Sequence, residues 1–521
     1  MEAIGRVIEE STPISFLFKC GIDCTVALHD YVFVELNEPH EEQVKKVKVL
    51  AEVVGLGTRN PLATERLATE QAVAPYSYKI VKAEVLGYLD EDGRIVRPKA
   101  APDPNTPIYK AEDDFLQAYF KGVVANIPLY IGRLLNRPNV NVPIHLQDMQ
   151  FHLGIFAQTR SGKSYFAGRF IEEILINTLF PVIVIDIHGD YVMMDKRIKS
   201  KEKHGDFNVI VYYPPGAPKV AGVTAEQKEL TISPEQLTNE ALSELLGATL
   251  GEMQKIMLRN ILRKLRAEKK PFGLKDIMDT IQDKLGEQDE NGEPKLKRQE
   301  RARYESLHIR LEDLGEEVTL SPKGMNIGDL TRPKTLSIIC LSGLRSRIQD
   351  AYTSIIVDLL FRQVVAGKSN PETFIPAFLF IEEAHRVASK DGGSRYAVRT
   401  ISTAIREGAK FGLFLTLISQ RPRSIDPDIL SNVGNYAVLR ITNQQDQWMI
   451  ENASESFSHR HVEDLPSLNQ GEAVLVGPFV PLPSHIRTLE RSTVHHGVTP
   501  NLKGIMDIIS SRLEKQEKGR W

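Results

Sequence analysis

Cysteine is scarce. Three in 521 residues exclude a disulfide scaffold and fit a reducing compartment. Cys20 and Cys24 form a lone CxxxC with no second pair. A structural zinc wants four ligands, so both read as half-buried strand or turn residues. No run of about 20 apolar residues occurs, which excludes a membrane-spanning helix of ordinary length. The first fifteen residues carry Glu2, Arg6, Glu9 and Glu10, unlike a signal peptide; the expectation is a soluble, cytoplasmic protein. An excess of one charge is also missing: 65 Lys and Arg face 68 Asp and Glu, for a net charge of −3. There is no global basic footprint, so any nucleic-acid contact must come from local lysines and arginines lining a ring or groove. Repeats and low-complexity tracts are absent. The chain is too long for one ordinary core and fits two to four domains.

Two textures are present. Residues 1 to about 100 read as all-β. "TVALHDYVFVEL" (25–36), "KKVKVLAEVVGL" (45–56) and "KIVKAEVLGYL" (79–89) are short, valine-rich and partly alternating, with turn signals between them. Such spacing favours a small barrel. "PKAAPDPNTP" (98–107) then reads as a linker. From about residue 145, short apolar runs alternate with helical stretches: "FHLGIFA", "PVIVIDI", "FNVIVYY", "TLSIICL", "PAFLFIE", "GLFLTLIS" and "YAVLRIT". Near-continuous β-branched runs fit strands covered on both faces of a parallel α/β sheet. From about 233 to 316 the chain turns helical. Ser233, Pro234 and Gln236 suggest a capping box, followed by Leu242, Leu245, Leu246, Leu250, Met253, Ile256, Met257, Ile261, Leu262 and Leu265 at helical spacing. "GEAVLVGPFVPLPSHIRTLER" (471–491) reads as two short strands about a proline-rich turn, and 502–515 as an amphipathic helix.

The chemistry concentrates at strand ends. "AQTRSGKSY" (157–165) has the spacing of a phosphate-binding loop, a small residue, four spacers, then Gly-Lys-Ser. An apolar strand precedes it and a good helix follows. Backbone N–H groups from Thr159 to Tyr165 would cradle phosphates at the helix N-terminus. Lys163 would reach the β- and γ-phosphates, and Ser164 would offer its hydroxyl to Mg²⁺. Ala157 replaces the usual first glycine, which is tolerable where φ is negative. "AFLFIEEAHR" (377–386) ends a second apolar run on two carboxylates, Glu382 for the Mg²⁺ side and Glu383 to polarise the attacking water. Asp186 ends a third, "VIVIDIHGDY"; it could approach the nucleotide, brace Glu383, or simply close a turn. Gln420 ends a fourth, in "LTLISQRPRS", where an amide can sense the γ-phosphate. Arg406, on a helix just before that strand, is a candidate for stabilising transition-state charge across a subunit interface, with Arg421 second.

Together "FAQTRSGKS", "VIVIDIHGDY", "FLFIEEAHRVA", "IREGAKFGL", "LISQRPRSID" and "YAVLRITNQQD" make the chain resemble the HerA branch of the HerA/FtsK ATPases. The N-terminal β segment resembles that family's HAS barrel. The resemblance implies a RecA-like P-loop ATPase core with a helical insertion subdomain. It further implies a homohexamer that hydrolyses ATP with Mg²⁺ to pull double-stranded DNA through a channel. The partner would be an effector, a NurA-like nuclease in DNA-end processing or another effector in antiphage defence. By motif position it assigns Lys163 and Ser164 to the P-loop, Glu383 to catalysis and Gln420 to the sensor. Arg406 matches the trans arginine finger best, and Arg440 is a further sensor candidate. The usual Asp-Glu pair is here Glu382-Glu383. The expected segments are barrel and linker 1–107, core 108–232, helical insertion 233–330, core 331–491 and tail 492–521.

A ring would reconcile DNA binding with a net charge near zero. "HRVASKDGGSRYAVR" (385–399) is basic, and Lys390, Arg395 and Arg399 are pore candidates. Two other readings share these motifs: a conjugation or secretion motor on the same core, and an ATP-dependent scaffold assembling an effector complex. The missing transmembrane segment weighs against the first.

Overall fold

A computed structural model describes residues 2–8, 11–40, 43–60, 77–121, 127–198, 206–246, 250–290, 292–368, 374–390, 394–454 and 457–497, with Met506 and Ser510. The proposed 502–515 helix lies outside the described residues, apart from those two. Two compact units emerge: residues 1–182 with 356–490, and residues 183–355 with 491–521. No described helix is long and apolar enough to cross a membrane.

The first unit begins with a closed antiparallel barrel of six strands. Going round it, Gly5–Val7, Pro107–Lys110, Tyr31–His40, Gln43–Arg59, Tyr78–Leu89 and Ser15–Gly21 pair in turn, and the last returns to the first. Closure leaves no free edge among these strands. Alternation is clear in Ser15–Gly21, a strand outside the three segments read from sequence, where Phe16, Phe18 and Cys20 point into the core beside Val32, Val49 and Val81. Gln43–Arg59 spans 17 residues, too long for one straight side. Register shifts at Leu50/Ala51 and Val53/Gly55 let it bend round the corner.

The same unit carries an α/β sheet. Ala377–Ile381, Leu413–Ser419, Leu153–Phe156 and Asn435–Leu439 run parallel in that order. Glu472–Val476, Ser484–Thr488, Pro128–Leu134 and Arg137–His145 continue it antiparallel. Every residue of Leu153–Phe156, Ala377–Ile381 and Asn435–Leu439 is buried, as strands covered on both faces require. Helix Lys163–Asn177 covers one face, with Phe170 edge-on to Phe380.

The second unit holds a smaller parallel array, Glu226–Glu229, Asn208–Tyr213, Thr335–Cys340 and Val182–Asp186. Four helices, Asn239–Leu245, Glu252–Ala267, Leu274–Gly286 and Arg298–Glu317, pack around Leu258, Leu262, Ile277, Ile281, Leu307 and Leu311. The capping expectation at Ser233 needs correction. Ser233 N–H does donate to Gln236 Oε1 at 3.0 Å, but the bond closes a turn. The first helix starts at Asn239, capped by Thr238, whose hydroxyl oxygen accepts Ala241 N–H at 3.0 Å. Met253 and Ile256, placed on the packed face by their spacing, are exposed.

Candidate functional site

The site lies where the four parallel strands of the first unit end. Register puts Phe156 opposite Ser419 and Val438, and Ile381 opposite Leu417. Ala157 and Gln420 therefore come level, with Leu439 on the other side of Ala157 and Arg440 next along, while Glu382 comes level with Ile418. Ligand sites form at such carboxyl ends because loops there converge on helix N-termini.

Gly162 caps helix Lys163–Asn177 with φ 99° and ψ 18°, a left-handed conformation open to glycine and costly for other residues. Ala157 is fully buried and is not among the positive-φ residues, so the strand end accommodates its methyl as anticipated. Arg160 has φ 67°. Gln158 N–H and Ser161 Oγ both donate to Arg440 O, at 2.9 and 3.3 Å. Gly471 N–H donates to Ser161 O at 3.1 Å. The loop is thus held by backbone on two sides, which leaves its own N–H groups oriented at the helix start.

Lys163 Nζ lies 2.8 Å from Glu383 Oε1, both mostly buried. Glu383 adopts φ 46° and ψ 42°. A non-glycine residue pays on the order of 1–2 kcal/mol for that conformation, and it turns the carboxylate sharply off the strand toward Lys163. Glu382, directly before it, is 2% exposed. Thr159 Oγ1 donates to Gln420 Oε1 at 2.7 Å, so the loop and the candidate sensor are in contact. Ser164, Tyr165, Arg421 and Arg440 stand at the same strand ends. The Arg421 and Arg440 side chains are exposed, and Arg421 N–H is fixed by Ser419 Oγ at 3.0 Å.

His385, in the acidic motif, joins the site. Its Nδ1 lies 3.3 Å from Glu383 Oε2 and 3.1 Å from Ser419 Oγ. Burial lowers its pKa, opposed by the Glu383 charge, so the ring is neutral; it hydrogen-bonds Ser419 and packs beside Glu383 Oε2. Its place two residues past Glu383, on the same turn, was the available signal.

The other candidates stand apart. Arg406 is exposed, with Nε donating to Ser402 O at 3.3 Å. It precedes Leu413–Ser419 and so sits at the opposite edge of the sheet. His152, one residue before the P-loop strand, donates through Nε2 to Ile405 O at 2.6 Å and accepts Leu415 N–H at Nδ1. Burial pushes that imidazole down to about 4, which keeps it neutral for this double role. Roughly 16 Å of extended chain separates His152 from Ala157, so Arg406 does not meet Lys163 of its own chain. Arg395, Arg399 and Arg406 are exposed at spacings of four and seven along helix Arg395–Glu407, one shared face. Lys390 is exposed beside it, with its N–H donating to Ser424 O at 3.3 Å.

Asp186, in the second unit, is fully buried. Its carboxylate accepts N–H groups of Gly189, Asp190 and Tyr191 at 2.7, 3.1 and 3.0 Å. Of the roles its sequence left open, the turn is the one its hydrogen bonds fill. Burial pushes it up to about 6 against those three donors, with Asp190 adding to the rise.

The family description "Helicase HerA, central domain" matches residues 129–360. That stretch of the chain is similar to the HerA central domain. The match begins at strand Pro128–Leu134 and takes in the P-loop, stopping before the acidic pair. A DNA double-strand break repair helicase HerA from Pyrococcus furiosus is 25% identical over 538 residues, covering 93% of this chain and 92% of the relative. A probable helicase of Methanocaldococcus jannaschii is 28% identical over 423 residues, 79% and 76% of the two chains. The solved structure of VirB4 of Thermoanaerobacter pseudethanolicus is similar at 14% identity and a TM-score of 0.49, over 70% of this chain and 98% of that one. Among the described residues, Lys163, Glu382, Glu383, His385, Gln420 and Thr159 come together, and Arg406 and the basic helix face stay outside.

Proposed function

We propose that the chain is an ATP-driven motor that moves along double-stranded DNA as a homohexamer. The observation that carries the ATPase part is the Lys163–Glu383 pair, formed across a left-handed turn at a buried strand end and joined to Gln420 through Thr159. The DNA part rests on relatives named as DNA double-strand break repair helicases.

The donor set fits magnesium nucleotide: a glycine-capped helix start, an ammonium, a hydroxyl and buried carboxylates. Mg²⁺-ATP supplies the phosphoanhydride and a divalent charge on its oxygens. Lys163 exchanges Glu383 for phosphate, which frees that carboxylate to accept a proton from water. Ser164 would offer its hydroxyl and Glu382 its carboxylate on the metal side. His385 keeps Glu383 in line. Gln420 reports the γ-phosphate to the loop through Thr159. Arg406, stranded at the far edge of its own sheet, serves the site of the neighbouring subunit, while Arg421 and Arg440 stay local. Lys390, Arg395 and Arg399 offer phosphate contacts without base reading. A NurA-like nuclease or other effector performs any cleavage.

The test is steady-state ATP hydrolysis with and without duplex DNA at low salt. Wild type is stimulated by DNA; Lys163→Ala is inactive. Hydrolysis indifferent to duplex DNA, with no DNA binding, removes the motor reading. Mixing Lys163→Ala with Arg406→Ala subunits should restore part of the activity that each lacks, since a mixed interface combines an intact loop with an intact arginine. No recovery moves the finger role to Arg421.

A further inference from the structure

Away from the nucleotide site, within the first unit, three elements meet at His29, Asp464 and His485. His29 precedes barrel strand Tyr31–His40, Asp464 ends helix His459–Asp464, and His485 lies in strand Ser484–Thr488. His29 Nε2 is 3.4 Å from Asp464 Oδ1, and His485 Nε2 is 3.1 Å from Asp464 Oδ2. The two rings lie 3.9 Å apart, 33° from parallel. One donor atom from each of the three residues lies within 4.8 Å of the others. All three side chains are at most 15% exposed.

We propose that these residues form a zinc-class site that staples the barrel to the ATPase sheet. Tetrahedral zinc with Zn–N bonds of about 2.0–2.1 Å spaces its ligands about 3.3 Å apart; the 3.4 and 3.1 Å separations run to the two different oxygens of Asp464, and with one atom from each residue inside 4.8 Å a small closing of the cluster completes the set. The far sides of the rings supply a second observation. Both Nδ1 atoms face Glu52 Oε1, at 2.9 Å from His29 and 3.8 Å from His485. A carboxylate behind a ligating imidazole fixes its tautomer and turns Nε2 toward a metal. Glu52 is itself held by Arg460 Nη2 at 2.9 Å, so the brace is rigid. His29 is kept in place by its N–H to Val53 O and a left-handed φ of 62°. Two imidazoles and one carboxylate select a borderline transition ion over Mg²⁺ or Ca²⁺, which prefer all-oxygen shells. Three protein ligands leave a fourth position for water.

Full-length protein stripped with chelator is dialysed against micromolar free Zn²⁺ in excess Mg²⁺, and bound zinc is counted. One zinc per chain is expected, falling in affinity at least about tenfold in Asp464→Asn and in His485→Ala. Co²⁺ substitution should give the intense visible bands of a tetrahedral ion, absent in His29→Ala, which changes a loop and spares the sheet. Glu52→Gln should weaken zinc without abolishing it. No zinc at these concentrations, or equal zinc and Co²⁺ spectra in His29→Ala, overturns the proposal and leaves the cluster as a proton-bridged ion network. Neither outcome depends on ATP hydrolysis, so the site stands or falls apart from the motor reading.

Discussion

Glu383 and Asp186 make an instructive pair. Both end an apolar parallel strand and both are buried, yet they are held in opposite ways. Three backbone N–H groups of its own turn consume Asp186. Glu383 faces a mobile-ended cation, Lys163, and a neutral ring, His385, from a backbone conformation that costs energy. A carboxylate satisfied by fixed backbone is structural. A carboxylate whose partner can be exchanged, held there by strain, is available for chemistry. The difference appears in the partners, not in the strand that delivers them.

Several substitutions would break that contrast. Glu383→Gln keeps the shape and removes the base, so hydrolysis should fall by on the order of 10²–10⁴ while nucleotide binding and the melting temperature change little. Phosphate release and nucleotide titration read this directly. Loss of binding instead would mean that Glu383 builds the cradle. His385→Ala should lower kcat by about tenfold with KM unchanged, since a displaced base is expected to slow chemistry without weakening binding. A parallel loss in KM would assign the ring to nucleotide contact. Asp186→Ala should do the reverse of Glu383→Gln. Leaving three buried N–H groups unmet costs about 2–4 kcal/mol, visible as a lower denaturation midpoint with normal hydrolysis per folded chain.

The smallest effect concerns pH. The folded pKa of Asp186 is raised from 3.8 to about 6, so its protonated form is favoured by folding. Its contribution to stability is full below about pH 4, is lost as pH rises through about 6, and is flat above. The stability gap between wild type and Asp186→Asn should therefore narrow over that window. A gap that widens with pH would show that the three N–H donors outweigh burial.

The sequence carried much of this site because its signals are local. The P-loop is a fixed spacing, and the buried strands are unbroken β-branched runs such as "VIVID" and "AFLFI". Where one local pattern serves two structures, sequence misleads or stays silent. Ser233 and Gln236 make the reciprocal bond of a helix cap and close a turn with it. "DIHGDY" suits a catalytic strand end and a satisfied turn equally. Strands Pro128–Leu134 and Arg137–His145 went unmarked because glycine, proline and asparagine interrupt their apolar residues. The His29–Asp464–His485 cluster joins residues more than 400 positions apart, which no window along the chain can see.

The position of Leu153–Phe156 has a consequence for how the protein is made. Its flanking strands are Leu413–Ser419 and Asn435–Leu439. Leu153 pairs with Thr416, roughly 260 residues later, which takes about 13–50 s at ribosomal speeds of 5–20 residues per second. For that interval the strand that will carry the P-loop has neither of its partners. The nascent chain must keep an apolar strand from pairing elsewhere while residues 183–355, the larger part of the second unit, are synthesised.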